Sequence, residues 1–230
     1  MTRRYAIYYA PRTGTGLARF GAEWLGRDAE TGRTPEPRGL RHIDRDRWLK
    51  AISGPAVYGF HGTLKPPFSL APGTGEADLF SALAALGASQ APVSAGRLRL
   101  TRLGEFLALV PEHTDDIAIL ASRCVRDLDR FRAPPSASEL ERRRAKGLSG
   151  AQENLLRLWG YPYVLEEFRF HITLTGNLSG AEARFFEAAL KTHLAPLLEQ
   201  SVSIDDICVF RQETQKDDFV LAERYALSGG

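Results

Sequence analysis

The sequence predicts an α+β fold made by duplication, in which two lobes, each with an antiparallel sheet, face one another across a central cleft with helices outside. Three features lead to it. The order strand, helix, hairpin occurs twice along the chain. The pattern His-x-Thr-Leu also occurs twice, at His61-Gly62-Thr63-Leu64 and His171-Ile172-Thr173-Leu174, 110 residues apart and at matching places in the two units. A length of 230 residues with 43% apolar and 25% charged residues suffices to bury a shared core without disulfides.

The elements follow from local chemistry. Arg4 to Ala10, rich in Tyr and Ile, reads as a strand stopped by Pro11. Gly16 to Gly26 carries Leu17, Phe20, Trp24 and Leu25 at helical spacing, and a polar stretch rich in Gly, Pro and Arg then runs as a loop to about Arg41. Ala56 to Lys65 is a strand pattern ended by Pro66-Pro67, and Ala77 to Leu86 is helical. Leu98 to Leu100 and Phe106 to Val110 flank Gly104 as a hairpin, and Asp115 to Phe131 returns to a helical period. In the second unit Phe168 to Thr175 reads as a strand. Ser179 with Glu182 forms a capping box for a helix to about Leu198, and Val202 to Phe210 and Phe219 to Tyr225 are strands. Between the units, Ala133-Pro134-Pro135 breaks the chain, and Glu139 to Lys146 and Ser149 to Trp159 read as helical connecting material. The chain is thus expected to be one bilobal domain over 1–230, with lobes near 1–132 and 150–230, a charged connector at 133–149, and terminal strands able to exchange between lobes.

A net charge of +2 with 30 Lys and Arg argues against a nucleic-acid-coating protein but leaves room for a locally positive pocket. The two cysteines, Cys124 and Cys208, lie far apart in helical and strand patterns, where thiols are usually buried and inert. The opening MTRRYAIYYAPRTG lacks a signal-peptide core, and no run approaches the roughly 20 apolar residues of a membrane span. The expected location is the reduced cytoplasm, away from membranes. His42, His113 and His193 have no partners at zinc-ligand spacing, and Thr13-Gly14-Thr15-Gly16 lacks the Lys-Ser/Thr ending of a phosphate-binding loop. Neither a metal nor a cofactor is expected.

The paired motifs carry the chemistry. Strand alternation places His61, Thr63 and Lys65 on one face, and Arg169, His171, Thr173 and Thr175 on another. Cleaving a phosphodiester takes a base for water, an acid for the leaving oxygen, and donors for the non-bridging oxygens. His61 and His171 suit the proton transfers, because an ordinary histidine pKa of about 6.5 allows one neutral and one protonated ring near neutral pH. Thr63 and Thr173 offer hydroxyl donors, and Lys65 and Arg169 offer positive charge for phosphate binding. A lone histidine is more often structural than catalytic, but the repetition on equivalent strands favours catalysis. Tyr5, Tyr8, Tyr161 and Tyr163 at strand spacing are expected to be core, and the run Glu141 to Lys146 a solvated helix face.

With His-x-Thr on strands of a duplicated chain, and with the phrases RYAIYYAP, YGFHGTLKPPF and WGYPYVLEEFRFHITLTGNL, the sequence resembles the 2H phosphoesterase superfamily over most of its length. It is most similar to the branch often encoded beside phosphonate-utilisation genes. The resemblance implies two four-stranded lobes around a groove, with His61 and His171 catalytic and Thr63 and Thr173 touching phosphate. Gly62 departs from the family pattern, which has an apolar residue between histidine and hydroxyl, so the opposite face lacks a packing side chain there. The expected activity is metal-independent hydrolysis or transesterification of a 2′,3′-cyclic or other sugar cyclic phosphate, with a place in phosphonate metabolism implied by the resemblance. The expected partner is a small-molecule phosphate ester, with an RNA end second and no obligate protein partner evident. The rival reading is a module that binds RNA ends or nucleotides without turnover.

Overall fold

Strand β1 (Arg4–Tyr9) opens the chain, and alternate residues Ala6 and Tyr8 face one side of the sheet while Tyr5, Ile7 and Tyr9 join the main core on the other. The computed structural model describes residues 3–35, 43–145 and 147–229. Part of the expected loop before Arg41, His42, and Lys146 of the expected connector lie outside the described residues. Helix α1 (Gly16–Leu25) is capped by Thr15. Helix α2 (Arg45–Ala56) had no counterpart in the strand and loop pattern; Asp44 caps it by accepting from Arg47 N–H, and Trp48, Ala51 and Ile52 bury on its inner face.

The remaining elements are β2 (Gly62–Phe68), α3 (Glu76–Ala88), β3 (Val93–Leu103), β4 (Phe106–Pro111), α4 (Asp115–Asp127), α5 (Ala137–Arg144) and α6 (Gly150–Trp159). They are followed by β5 (Ile172–Thr173), α7 (Gly180–Leu198), β6 (Ser201–Ile204), β7 (Asp206–Gln212) and β8 (Val220–Ala226). All strand pairs are antiparallel, in the order β6-β3-β4-β5-β2-β1-β7-β8. The fold is therefore α+β with two four-stranded halves, and these join edge to edge into one curled sheet. The junction is slight: β2 and β5 share the single pair Gly62 with Ile172.

The halves of the sheet do not coincide with the sequence limits 1–132 and 150–230, because strands near the C-terminus cross over, an exchange the expected lobes allowed for. The C-terminal strands β7 and β8 complete the half that holds β1 and β2, while β3 and β4 complete the half that holds β5. The run Val202 to Phe210, expected as one strand, breaks at Asp205 because β6 pairs with β3 while β7 pairs with β1. The expected strand Ala56 to Lys65 begins as helix and runs on through Pro66 and Pro67. Those prolines are tolerated because β5 is only two residues long and leaves that flank of β2 without a ladder to serve. The expected strand Phe168 to Thr175 shrinks to β5 for a related reason: Leu174 and Thr175 N–H both donate to Leu107 O, and Gly176 N–H donates to Ala51 O as the chain leaves the sheet.

Helices α1 to α4 and α7 cover one face. Trp24 of α1, Ile52 of α2, Leu79 and Leu83 of α3, Ile117 and Leu120 of α4, and Phe186 and Leu190 of α7 bury there. The opposite face carries a small cluster of Ala6, Tyr8, Ala10, Cys208, Phe210 and Phe219. Ser179 caps α7, but the expected capping box is half made: the Glu182 carboxylate turns to Arg47, with two bonds of 2.9 Å. Ser149 and Gln152 form a complete box on α6 instead. No helix among the described residues is long and apolar enough to cross a membrane.

Gly62, the departure in the first motif, is explained by the junction. A Cβ there would lie 2.2 Å from the ring of Phe170, which occupies the space that the missing side chain leaves. Gly62→Ala is expected to destabilise the fold by about 1–3 kcal/mol through overpacking. Thermal unfolding should show Phe170→Leu in the same chain recovering part of that loss, and simple additivity of the two changes would contradict this account.

Candidate active site

The junction sets the two motifs against each other. Because Gly62 stands opposite Ile172 in an antiparallel pair, the register carries His61 opposite Thr173 and Thr63 opposite His171. All four project to the face away from the helical core, since Gly62, Leu64, Ile172 and Leu174 take the core side. The two histidines are diagonal neighbours, a relation that puts their backbones roughly 7–8 Å apart.

Each ring is held in the same way. His61 Nδ1 donates to Gly59 O at 2.9 Å, and His171 Nδ1 donates to Arg169 O at 2.8 Å, in both cases the carbonyl two residues upstream. A carbonyl only accepts, so Nδ1 carries the proton and Nε2 is the accepting nitrogen of each neutral ring. Thr63 Oγ1 donates toward His61 Nε2 at 3.3 Å. The carbonyls are placed by different local structures. Gly59 follows the end of α2 with φ at 76°, while Arg169 follows a short 3₁₀ turn, Leu165–Glu167, that begins with Leu165 at φ 52°.

The two rings differ in their surroundings. Tyr8 stacks on His61 with ring centroids 3.9 Å apart, and Tyr58 and Phe210 lie about 6 Å away. Burial pushes the His61 pKa down to about 4, with the Gly59 bond opposing and the charges of His171 and Arg27 adding to the shift. Phe106 lies 5.6 Å from His171, whose pKa is lowered by burial against the Arg169 bond. Among the described residues no three His, Cys, Asp or Glu side chains gather as metal ligands.

Two expected phosphate contacts stand elsewhere. Ile7 pairs with Lys65 and Tyr8 with Thr63, so the strand carries a bulge that breaks the alternation meant to put Lys65 beside His61. Lys65 is instead buried at 2% exposure, donating to Val125 O at 3.0 Å and lying 3.7 Å from Asp129. Arg169 is exposed, and its guanidinium donates back to Glu166 O and Phe168 O. Thr175 also leaves the histidine face, since it is fully buried and its Oγ1 accepts from Leu107 N–H. Tyr8 was read as core and is buried, yet it forms the wall behind His61; its place on the same strand face as Ala6 and Ala10 was the available signal. Both thiols are buried, and burial raises Cys124 to about 12 and Cys208 further.

A family described as "Protein of unknown function (DUF1045)" matches residues 63–220, a span that includes Thr63, His171 and Thr173. The chain belongs to the DUF1045 family. This DUF1045 chain is 36% identical over 231 residues, 98% of its length, to a protein of Janthinobacterium sp. (strain Marseille) named ribose 1,5-bisphosphate phosphokinase PhnN. It is 35% identical over 201 residues, 86% of its length, to a protein of the same name from Laribacter hongkongensis (strain HLHK9). The chain spans about half the length of these curated relatives, 51% and 46% respectively. Solved structures similar to it include E. coli LigT complexed with 3′-AMP, at TM-score 0.45 and 12% identity over 99% of each chain. Kluyveromyces marxianus Usb1 follows at TM-score 0.39 and 10% identity over 97% of each chain.

Because the folded protein holds His61 neutral down to about pH 4 whereas an unfolded histidine charges near 6.5, the unfolded chain binds more protons in between, and stability falls as pH is lowered through that window. His171 acts in the same direction. Chemical denaturation between pH 6.5 and 4.5, above the range where the paired carboxylates titrate, is expected to show this loss. His61→Gln should flatten the slope, and an unchanged slope in that variant would count against a buried neutral ring.

Proposed function

We propose that the chain is a two-histidine phosphodiesterase acting on a cyclic phosphate, most simply a 2′,3′-cyclic or other sugar cyclic phosphate, without a metal. The observation that carries this is the cross-strand juxtaposition of the two His-x-Thr motifs, with both Nδ1 atoms tied to carbonyls and His61 Nε2 turned toward the Thr63 hydroxyl. The phosphoryl group sits between the rings. His61 Nε2 takes a proton from water as its oxygen bonds to phosphorus, and protonated His171 Nε2 donates to the ester oxygen as that P–O bond breaks. Thr63 and Thr173 donate to the non-bridging oxygens, where charge builds up in the transition state.

The assignment of base and acid follows from burial. Between the two pKa values the more deeply packed His61 is neutral and the less buried His171 is protonated, which is the reactive combination. Because the curated relatives, about twice as long as this chain, carry the name of a sugar-bisphosphate kinase, a role in the sugar-phosphate chemistry of phosphonate use, in the cytoplasm, fits the proposal.

Phosphorus NMR of nucleoside 2′,3′-cyclic and ribose 1,2-cyclic phosphates in chelator is expected to show turnover by the wild type. His61→Ala and His171→Ala should each lose about 10²–10⁴-fold. Absence of turnover in a folded protein, with retained nucleotide affinity, would favour the binding-module reading. The kcat/KM profile should be bell-shaped, with its acid limb near pH 4 from His61 and its alkaline limb below the ordinary histidine value of about 6.5 from His171. A single sigmoid would contradict paired acid and base.

A further inference from the structure

The register that aligns the motifs extends across the sheet. Tyr8 pairs with Thr63 and Arg99 with Val110, and Leu109 opposite Ile172 carries Val110 opposite His171. Tyr8, Thr63, His171, Val110 and Arg99 therefore stand in one row on the histidine face. In the next row, His61 and Thr173 are followed by Ala108 and Thr101, through the pairs Ala108 with Thr173 and Thr101 with Ala108. Burial along β3 agrees: Leu98 is in the core, while Arg97 and Arg99 are exposed on the other side. Two strand spacings, roughly 10 Å, separate the Arg99 backbone from that of His171.

Four other described arginines bond to the protein's own groups. Arg4 donates to Gln212, Arg27 to the carbonyls of Ala56 and Val57, and Arg169 to its own chain. Arg97 lies 3.5 Å from Glu112 and 3.7 Å from Glu199. The Arg99 guanidinium makes no hydrogen bond or ion pair among the described residues. It is near enough to Glu112 to help hold that carboxyl below its usual range, behind the Arg97 backbone N–H bond and the Arg97 charge.

From this we infer that Arg99 is a specificity-determining residue that binds a second anionic group on the substrate, so that the preferred substrate is a sugar cyclic phosphate carrying a further phosphoryl group. The inference rests on the phosphodiesterase reading for the first phosphate. A guanidinium presents a planar fork that matches phosphate oxygens, and an arginine without an internal partner loses no ion pair when it takes one.

The test compares adenosine 2′,3′-cyclic phosphate with and without a 5′-phosphate, using wild type, Arg99→Gln and, as control, Arg157→Gln on the exposed side of α6. The wild type is expected to favour the 5′-phosphorylated substrate by about tenfold in kcat/KM. Arg99→Gln should lose that preference while turning over the unphosphorylated substrate as before, and Arg157→Gln should keep it. No preference in the wild type, or equal losses on both substrates in Arg99→Gln, would overturn the inference and leave the phosphodiesterase reading standing. If the wild type hydrolyses neither, calorimetry with 3′-AMP and adenosine 3′,5′-bisphosphate decides separately. Tighter binding of the bisphosphate that Arg99→Gln abolishes supports the subsite, and equal binding of the two overturns it.

Discussion

One backbone pair, Gly62 with Ile172, joins the two halves of the sheet, and the position of every group at the candidate site follows from it. So short a junction contributes few hydrogen bonds, so the apolar layer beneath must hold it. Phe170 covers Gly62, and Leu64, Ile172 and Leu174 are buried beside it. Trp24 Nε1 donates to Leu174 O at 2.7 Å and Trp48 Nε1 donates to Trp24 O at 2.9 Å, so the indoles of α1 and α2 satisfy buried carbonyls around the exit of β5. The glycine between His61 and Thr63 is thus the condition for the two halves to approach. A side chain at 62 and the ring at 170 cannot share the space.

Electrostatics then separates two otherwise equivalent histidines. Both are fixed by a carbonyl two residues upstream, which sets the same tautomer, but three rings, Tyr8, Tyr58 and Phe210, lie around His61, whereas among the described residues one aromatic ring, Phe106, lies near His171. Burial without a counter-charge favours the neutral imidazole, and it does so more for His61. Pseudo-symmetry of the backbone combined with asymmetry of the packing gives one repeated motif two different histidine environments. A symmetric pocket would not.

Much of this was legible in the sequence because strand and helix periods are local. The paired motifs, the helices from Glu76 and Asp115, and the hairpin at Gly104 depend on residues within a few positions of each other. Asp44 followed by Trp48, Ala51 and Ile52 was an equally local signal for α2, obscured by the polar stretch before it. The bulge that removes Lys65 from the histidine face was not legible, since it arises from the register of β2 against β1, a strand more than fifty residues earlier. Nor was the diversion of Arg169 to its own carbonyls, which follows from the 3₁₀ turn.

By itself the sequence determined the α+β class and the two histidines with their hydroxyl partners, because each is written in alternation and spacing along the chain. Only the tertiary structure decided that β7 and β8 complete the first half, that His61 faces Thr173, and that Arg99 shares a row with His171. The physical reason is that strand partners are chosen by the burial of whole faces across the molecule. Side-chain periodicity states which way a residue points but not which strand lies beside it.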